Sequence, residues 1–333
     1  MAKVAINGMG RIGRAALKII LDQPELDLVA VNDLMPLDNL AYLLKYDSAY
    51  GRYQHRVETA AGALKVAGKT IKYLSERDPA NLPWKDLGID IVFECTGFFT
   101  QSEGLSKHLT AGAKYAILSA PSKSEDVCCI VHGVTRPGAA DRAISCASCT
   151  TNCITPVVEI MGRRIGIKKA TMTTIHAYTS SQAIVDGPSK KFRRGRAGAA
   201  NLVPTSTGAA IAATAAVPEF KGKFDGVAVR APVPAGSLAD IVFLTARRTT
   251  EEEINNIFRE EAAGSRYRGV LGVAEDPIVS SDVIQDPRAS IVDLSMTKVV
   301  DGDLVKVMSW YDNEWGYTNQ MVREAVRLAK ECL

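Results

Sequence analysis

The chain has 333 residues, too many for one ordinary hydrophobic core, so two domains are expected. Apolar residues make up 47% of the chain and charged residues 23%, which is ordinary for a soluble globular protein. The formal net charge of +3 is too small to indicate a nucleic-acid partner by itself, and no apolar run approaches the ~20 residues that a membrane span needs.

The N-terminal residues and the cysteine count bear on the compartment of the protein. The opening segment, MAKVAINGMGRIGR, lacks the basic, apolar and small-residue regions of a signal peptide. Seven cysteines, an odd number in a long chain, argue against a structural set of disulfides. We therefore expect a reduced, cytoplasmic protein.

The first half of the chain alternates strand-like and helix-like segments. Residues 11–23 space their apolar side chains as a helix does. Short apolar runs that indicate strands occupy residues 3–7, 27–33, 89–97 and 113–121. Because continuous Val and Ile runs are typical of strands buried on both faces, we predict an α/β domain with a parallel, doubly wound sheet covered by helices.

The second half has longer strands with alternating, β-branched residues, over 170–179, 226–247 and 304–314. This alternation is typical of a sheet with one solvated face, so we predict an α+β domain with a mainly antiparallel sheet. Residues 187–208 are rich in glycine, proline and charge and are too long for an ordinary connection. We expect this segment to be either functional or disordered.

Helices are predicted at three places in the second half. Residues 249–264 open with a capping pattern, and residues 317–332 are amphipathic. A third helix should begin near Thr150, directly after the strand 143–145, and Pro156 should bend this helix without ending it.

A glycine motif follows the first predicted strand. Gly8, Gly10 and Gly13 form G-x-G-x-x-G, and the motif opens a helix. Glycines let the backbone approach a pyrophosphate, and a helix N-terminus supplies donors and positive potential. The motif therefore predicts a dinucleotide site; the alternative is a tight turn with no ligand.

Asp33 ends the next strand, 20 residues after Gly13. A carboxylate at this place accepts hydrogen bonds from the ribose hydroxyls of NAD and would repel the 2′-phosphate of NADP. We therefore expect NAD as the cofactor. The alternative is an aspartate that caps the turn after a strand.

The stretch SCASCTTNC, residues 145–153, holds three cysteines. A zinc site would need a second pair of ligands, and the adjacent Cys128 and Cys129 are poorly spaced for one, so we predict no metal. A redox C-x-x-C is a second possibility. The favoured prediction is a nucleophile: Cys149 at a helix N-terminus, where the dipole lowers the pKa of a thiol.

Cys146 and Cys153 are expected to be small buried residues of the core. A base near the nucleophile would complete the site, and His176 ends a strand-like run. A single histidine is more often structural than catalytic, so the residues alone leave its role open.

Several segments together resemble the phosphorylating glyceraldehyde-3-phosphate dehydrogenase family, over essentially the whole chain. They are INGMGRIGR, SCASCTTNC, TTIHAYT, RRGRAGAANLVPTSTGAA, VAVRAPVP and SWYDNEWGY. The resemblance implies that Cys149 adds to the aldehyde of glyceraldehyde 3-phosphate. It implies that His176 pairs with Cys149 as an ion pair and then takes a proton while hydride leaves for NAD. Inorganic phosphate would cleave the resulting thioester to give 1,3-bisphosphoglycerate.

The resemblance also assigns binding residues. Those for the attacking phosphate would be Ser148, Thr150, Arg194, Thr207 and Gly208. Those for the C3 phosphate of the substrate would be Thr179 and Arg230. Beyond the glycines and Asp33, the cofactor contacts would be Arg11, Ile12, Arg77, Thr96, Ser119, Asn313 and Tyr317.

The resemblance further implies a domain organisation and an assembly. Residues 1–148 would bind NAD with the C-terminal helix 315–333 packed back on them, and residues 149–314 would form the catalytic domain. The family is homotetrameric, with the loop 187–203 as a subunit contact. The surplus thiols carry no assigned role: Cys95, Cys128, Cys129, Cys146 and Cys332.

Other functions remain open at this stage. Erythrose-4-phosphate dehydrogenase and an NADP-preferring form of the same enzyme share the fold and the thiol–histidine pair. A non-phosphorylating aldehyde dehydrogenase would leave the phosphate donors without a task. The basic stretch 190–196 allows nucleic-acid binding as a second activity, although we expect no nucleic acid as the primary partner and no membrane.

Overall fold

The computed structural model describes residues 1–333, apart from the side chain of Ala216. Its backbone divides into two units. The first comprises Met1–Ala147 and Thr318–Leu333, and the second comprises Ser148–Tyr317.

The strands of the first unit form one large sheet and a small hairpin. They are β1 (Ala2–Asn7), β2 (Leu26–Asn32), β3 (Tyr46–Asp47), β4 (Gly51–Arg52), β5 (Val57–Ala60), β6 (Ala63–Val66), β7 (Lys69–Leu74), β8 (Ile91–Glu94), β9 (Tyr115–Leu118), β10 (Cys128–Cys129) and β11 (Ala143–Ser145). The sheet order is β10-β11-β9-β8-β1-β2-β7-β6-β5, and β3 pairs with β4 apart from it. Pairing is parallel from β10 to β7, and only the β5–β6–β7 edge is antiparallel.

The prediction of a doubly wound sheet is confirmed. From β1 the chain builds outward through β2 to β7 on one side and through β8, β9 and β11 on the other. The residues of β8 and β9 are all buried, as expected for strands that pack on both faces. The carboxyl ends of β1, β2, β7 and β8 share one edge of the sheet, which is where doubly wound folds bind ligands.

The helices of the chain are α1 (Arg11–Leu21), α2 (Leu37–Lys45), α3 (Trp84–Leu87), α4 (Ser102–Thr110), α5 (Cys149–Arg164), α6 (Ala209–Ala216), α7 (Glu251–Ala263) and α8 (Trp315–Glu331). Short 3₁₀ turns cover Pro79–Asn81, Phe192–Gly195 and Pro218–Phe220. None of the helices in the described residues combines the length and apolar composition that a membrane span requires.

The second unit holds a mainly antiparallel sheet, as predicted. Its strands are β12 (Ile167–Ala177), β13 (Val203–Ser206), β14 (Phe224–Ala231), β15 (Ser237–Thr245), β16 (Leu271–Ala274), β17 (Ser290–Val300) and β18 (Leu304–Tyr311), in the order β13-β14-β12-β15-β18-β17-β16. Two pairs, β12–β14 and β16–β17, are parallel. Strand β15 alternates buried and half-buried residues along its length, which is the expected pattern for one covered face.

Helix α5 is the central helix of the second unit. It packs against β12, β15, β17 and β18, and its residues from Thr150 to Val158 are buried. The helix continues through Pro156, so the prediction that this proline does not end it is confirmed. Its first residue is Cys149, so the core of the unit fixes where that thiol lies.

Two details of the predicted strands are wrong. The segment 226–247 is two strands, because Pro232, Pro234 and Gly236, with its φ of +83°, turn the chain between β14 and β15. Strand β17 was not predicted: an irregularity between Asp293 and Lys298 interrupts its alternation.

The predicted helix 249–264 is α7, and Thr250 caps it by accepting a hydrogen bond from the Glu253 N–H.

Candidate active site

The glycine motif lines a cavity of about 570 Å³ at the carboxyl edge of the parallel sheet. Gly8 has a φ of +96°, and a Cβ there would lie 2.5 Å from the Thr96 nitrogen. A Cβ on Gly13 would overlap the carbonyl oxygen of Gly8. The turn therefore needs glycine at both positions, and it brings the backbone to the cavity with helix α1 starting directly behind it.

The N-terminus of α1 is suited to an anion. Its N-cap is Gly10, and within the described residues no side chain caps it. Arg11 and Ile12 are the first and second residues of the helix, so their N–H groups lie at its positive end. The Arg11 side chain reaches Asp47 at 2.5 Å, so its backbone rather than its guanidinium is placed for a ligand.

Asp33 fits both predictions made for it, a carboxylate that binds the ribose and an aspartate that caps the turn after β2. It lines the cavity, as a ribose-binding carboxylate must. It also accepts hydrogen bonds from the Met9 N–H at 2.5 Å and the Met35 N–H at 2.9 Å. The carboxylate thus ties the glycine turn to the end of β2, which fixes the distance between the two walls.

Other predicted cofactor residues fall in different places. Arg77 and Thr96 line the cavity. Ser119 follows β9 and is not among the described residues that line it; its N–H donates to the Glu94 carbonyl. Asn313 and Tyr317 belong to the second unit, and both are buried. The Asn313 side-chain oxygen accepts a hydrogen bond from the Ser237 hydroxyl at 3.0 Å.

The predicted nucleophile and base are brought together in the second unit. The Cys149 Sγ lies 3.4 Å from the His176 Nε2, a hydrogen-bonding distance for sulfur. Ser148 caps α5 by accepting a hydrogen bond from the Thr151 N–H, so the thiol stands at the helix N-terminus as predicted. Just before the cap, Ala147 adopts a left-handed φ of +56°, a costly conformation for alanine that turns the chain into the helix.

Burial acts against the predicted protonation state of the thiol and the imidazole. Burial raises the pKa of the Cys149 thiol, although Arg230, the Thr150 hydroxyl and the N–H groups of Thr150 and Cys149 act to lower it. Burial, together with the charges of Arg230 and Arg194, lowers the pKa of His176 to about 3. Desolvation therefore opposes the helix dipole and favours the neutral thiol and the neutral imidazole over the predicted thiolate–imidazolium pair.

The ring of His176 is held at its other nitrogen by two opposing partners. The Nδ1 lies 2.7 Å from the Ala177 carbonyl oxygen, which accepts, and 2.6 Å from the Arg230 Nη1, which donates. Nε2 can take the thiol proton only when Nδ1 carries its own proton and donates it to Ala177. Arg230 opposes that arrangement, because a guanidinium N–H can donate only to an Nδ1 that carries no proton.

Two side chains that hold this site were not predicted individually. The Tyr311 hydroxyl lies 2.8 Å from the hydroxyls of both Thr150 and Thr174, and its ring contacts His176 edge-on with centroids 6.0 Å apart. The Ser237 hydroxyl accepts a hydrogen bond from the Ala177 N–H, directly after His176. Tyr311 lies within the motif SWYDNEWGY, which was the available signal; Ser237 had none.

The remaining thiols of SCASCTTNC are buried, as expected. Burial raises the pKa of Cys153 to about 12, and its sulfur donates weakly to Ser290 and Ser309 at 3.8 Å. Burial raises the pKa of Cys146 well above its usual value. All seven cysteines are free thiols, and no group of three or more possible metal ligands occurs among the described residues.

The predicted phosphate residues surround the thiol–imidazole pair only in part. Arg230 contacts His176, and its buried Nε has no hydrogen-bond partner among the described residues. Burial is the main cause that lowers the pKa of both His176 and Arg230, and the charge of the nearby Arg194 lowers both further. The Arg194 Nε donates to the Thr205 hydroxyl at 3.0 Å. Two cations therefore act on one imidazole.

The predicted hydroxyl donors already have partners within the chain. Thr150 pairs with Tyr311, and the Thr179 hydroxyl lies 2.8 Å from that of Ser181. The Thr207 hydroxyl accepts a hydrogen bond from the Ala209 N–H, and Gly208 is the N-cap of α6. Each hydroxyl keeps hydrogen-bonding capacity for an anion, because a hydroxyl both donates and accepts.

The surroundings of the three thiols predict an order of reactivity. Iodoacetamide should alkylate Cys149 before Cys146 and Cys153, since Cys149 has an imidazole in contact and is half-buried, whereas the other two thiols are buried. The His176→Asn variant should slow alkylation of Cys149 by about tenfold or more, because the thiol loses its proton acceptor. Peptide mapping by mass spectrometry measures each rate; equal labelling of Cys146 or Cys153 would contradict the assignment of the nucleophile.

Comparison with known proteins bears on the whole chain. The family model described as "Glyceraldehyde 3-phosphate dehydrogenase, NAD binding domain" matches residues 2–102, and the C-terminal domain of the same family matches residues 148–313. The chain is 48% identical to glyceraldehyde-3-phosphate dehydrogenase of Zymomonas mobilis over 98% of both chains. It is 48% identical to that of Clostridium pasteurianum over 99% of both, and 47% identical to glyceraldehyde-3-phosphate dehydrogenase 1 of Bacillus subtilis over 99% of both.

These matches span both units, including the NAD-binding half that carries the glycine cavity and the half that carries Cys149 and His176. The chain belongs to the glyceraldehyde-3-phosphate dehydrogenase family.

Proposed function

We propose that the protein oxidises glyceraldehyde 3-phosphate with NAD and inorganic phosphate to 1,3-bisphosphoglycerate, through a thioester on Cys149. The observation that carries this proposal is the 3.4 Å contact between the Cys149 Sγ and the His176 Nε2 at the N-terminus of α5. A nucleophile with a base in contact and N–H donors around it is the arrangement that acyl transfer needs.

In the first step the Cys149 sulfur bonds to the aldehyde carbon while its proton passes to the His176 Nε2. Proton transfer inside the pair leaves the net charge of the buried site unchanged, which limits its desolvation cost. The aldehyde oxygen, which gains charge, meets the N–H groups of Cys149 and Thr150 that already act on the sulfur. His176 then returns the proton to that oxygen, so the product of this step is a hemithioacetal and the imidazole can again accept a proton.

In the second step the hemithioacetal becomes a thioester. Bound NAD would supply the acceptor for the hydride of the substrate carbon. His176 takes the hydroxyl proton as the carbonyl forms, and Tyr311 and Ala177 hold the imidazole in place. A substrate phosphate that draws the Arg230 guanidinium off Nδ1 removes one of the causes that lower the pKa of His176 and so makes it a better base.

In the third step a phosphate oxygen attacks the thioester carbonyl, the carbon–sulfur bond breaks, and the sulfur regains its proton from His176. The two cations near the imidazole suit two phosphate groups. We assign Arg230 and Thr179 to the C3 phosphate, and assign the attacking phosphate to Arg194, Ser148, Thr150, Thr207 and Gly208. Support for this division comes from the unpartnered Nε of Arg230 and from the neighbouring Arg194 charge.

The glycine cavity supports the cofactor assignment. Its left-handed Gly8, the uncapped start of α1 and the carboxylate of Asp33 match, respectively, a pyrophosphate turn, an anion site and a ribose acceptor. We assign the cofactor to Gly8, Gly10, Gly13, Asp33, Arg11, Ile12, Arg77 and Thr96 in the first unit. Ser119, Asn313 and Tyr317 complete the proposed set.

We also propose that the protein assembles as a homotetramer through the segment that follows β12. Ile184, Val185, Phe192 and Leu202 expose 90%, 74%, 89% and 68% of their surface. Large apolar side chains grouped in this way within one segment are typical of a subunit contact. A second copy of the chain is the proposed occupant.

The expected compartment and partners remain proposals as well. The free thiols are consistent with a reducing cytoplasm. Several basic residues of the stretch 190–196 bind their own chain: Lys191 donates to Ser206, Arg194 to Thr205, and Arg196 to Asp186. These contacts support a structural and phosphate-binding use of the stretch over nucleic-acid binding as the primary activity.

Turnover tests the proposed reaction. Reduction of NAD with glyceraldehyde 3-phosphate should require phosphate or arsenate, and Arg230→Ala should raise the KM of the substrate by about 10- to 100-fold through loss of a charge-assisted contact. Arg194→Ala should instead raise the KM of phosphate. The matched control is Arg248→Ala, whose guanidinium pairs with Asp301 on the surface. Equal turnover without either anion would indicate a hydrolytic aldehyde dehydrogenase.

Cofactor choice tests the role of Asp33. The wild type should have a higher kcat/KM with NAD than with NADP, and Asp33→Asn should narrow that gap by about tenfold, since repulsion of the 2′-phosphate is worth ~1–3 kcal/mol. The control is Asp38→Asn, an exposed carboxylate that accepts from Thr59 and lies outside the described cavity lining. A wild type that prefers NADP would show that the assignment of Asp33 is wrong.

Light scattering tests the proposed assembly. Phe192→Asp should shift the mass in solution from four subunits toward fewer, because a carboxylate would be buried in the proposed contact. Val300→Asp, an apolar residue 60% exposed elsewhere in the same unit, should leave the mass unchanged. A wild type that is monomeric at micromolar concentration would refute the proposal.

A further inference from the structure

A continuous set of buried polar side chains lies in the first unit behind the glycine cavity. We name it the polar relay; its members are Trp84, His108, Glu94, Asn7 and Asn32. Each is between 0% and 3% exposed. Burying a polar group costs folding free energy unless the group is hydrogen-bonded. A set of this size within a hydrophobic sheet is therefore a candidate for a functional role.

The hydrogen bonds at the outer end of the relay assign the tautomer of His108. The Trp84 Nε1 lies 3.1 Å from the His108 Nδ1, and an indole N–H can only donate. Nδ1 must therefore accept, which leaves the proton on Nε2. That N–H then donates to the Glu94 carboxylate at 3.0 Å. Protonating the ring at Nδ1 would break its bond with Trp84.

Glu94 stands at the centre of the relay with four donors around it. One oxygen accepts from the His108 Nε2 and from the Asn7 Nδ2 at 2.6 Å. The other accepts from the Thr96 N–H at 2.8 Å and from the Thr96 hydroxyl. A carboxylate can satisfy four donors, whereas an amide in its place would turn one N–H₂ group toward two of them.

The inner end of the relay has a fixed direction as well. The Asn32 Nδ2 donates to the Asn7 Oδ1 at 2.7 Å and to the Glu76 carbonyl at 2.8 Å. The Asn32 Oδ1 accepts from the Glu76 N–H at 2.8 Å. Neither asparagine can flip its amide without losing bonds at both ends, because a carboxylate fixes one end and a backbone fixes the other.

The relay ends at the walls of the cavity. Asn7, Asn32, Glu76 and Thr96 line the cavity, and Arg77 follows Glu76 in the same wall. Glu94 and His108 lie outside the described lining, but Glu94 holds Thr96 directly and holds Glu76 through the two asparagines. One buried carboxylate therefore sets the positions of two separate walls.

We propose that Glu94 and the neutral His108 are positioning residues for the adenosine half of NAD. The inference rests on the cofactor site proposed above and adds residues that do not touch the cofactor. They act by fixing the Thr96 turn and the Glu76–Arg77 segment before the cofactor arrives, so that binding does not have to order these walls. The rival explanation is that the relay only stabilises the fold.

Affinity measured apart from catalysis distinguishes the two explanations. Glu94→Gln should raise the Kd of NAD by about 10- to 100-fold, the effect of leaving buried donors unpaired beside the site. The Kd of ADP-ribose should rise by the same factor, since the adenosine half is affected. The kcat at saturating NAD and the KM of glyceraldehyde 3-phosphate should stay within about twofold of the wild type.

Milder variants test the relay along its length. His108→Leu should raise the Kd of NAD, and His108→Gln, whose amide N–H can replace the Nε2–H, should restore part of the loss. Trp84→Phe removes only the outermost donor and should raise the Kd by about threefold to tenfold, in line with one lost hydrogen bond. These variants decide the matter if Glu94→Gln does not fold.

The matched control is Asp293→Asn in the second unit. Asp293 is 2% exposed and accepts three hydrogen bonds, from the Ser295 N–H and hydroxyl and from the Trp310 indole. Its variant should lower the thermal midpoint and leave the Kd of NAD unchanged. Gly13→Ala is the reference for the cavity itself, because its Cβ would overlap the Gly8 carbonyl.

Each outcome has one meaning. If Gly13→Ala weakens NAD and the relay variants lose only thermal stability, the inference is overturned and the proposed cofactor site stands. If Gly13→Ala binds NAD as the wild type does, the cofactor site itself is wrong and the inference falls with it. The inference is supported if each variant of the relay weakens the binding of NAD and of ADP-ribose by the same factor while the kcat at saturating NAD stays unchanged.

Discussion

The contact between a half-buried thiol and a buried imidazole is the constraint on which the second unit depends. Cys149 and His176 come from the first residue of α5 and the end of β12, so the packing of that helix on that sheet sets their 3.4 Å separation. Burial favours the neutral form of each, and Arg230 adds to this at His176. Burial therefore opposes charge separation within the pair. In the proposed reaction, a substrate phosphate that draws the Arg230 guanidinium off the His176 Nδ1 removes part of that opposition.

In the first unit, too, side-chain hydrogen bonds within the chain fix the shape of the proposed site. A cofactor cavity formed by glycine backbone and strand ends has few side chains to define it, so its shape depends on what lies behind. Asp33 ties the glycine turn to β2 by accepting from Met9 and Met35. Glu94 accepts from Asn7 in β1, from His108 in α4 and from Thr96 in the turn after its own strand. In the first unit, therefore, carboxylates whose hydrogen bonds are made within the chain fix the walls that the cofactor meets.

The sequence allowed the local features to be predicted, because their causes are local. The spacing of Gly8, Gly10 and Gly13 and the position of Cys149 before a helical pattern each depend on a few neighbouring residues. Contacts across the chain could not be predicted: Tyr311 reaches Thr150 across 161 positions, and Asn7 reaches Glu94 across 87. The desolvation that opposes a thiolate at Cys149 could not be predicted, because a helix dipole can be inferred from sequence whereas desolvation depends on tertiary packing. Strand β17 was missed because buried Asp293 and Thr297 break its apolar pattern.

The central claim is that Cys149 carries the oxidised substrate, and intact-protein mass spectrometry tests it most directly. The protein should be mixed with NAD and glyceraldehyde 3-phosphate without phosphate and quenched in acid. The account predicts one NADH per subunit and a matching mass increase of one phosphoglyceroyl group on Cys149, which disappears when phosphate is added. NADH formed without acylation of Cys149, or a Cys149→Ser variant that gives the same burst, would contradict it.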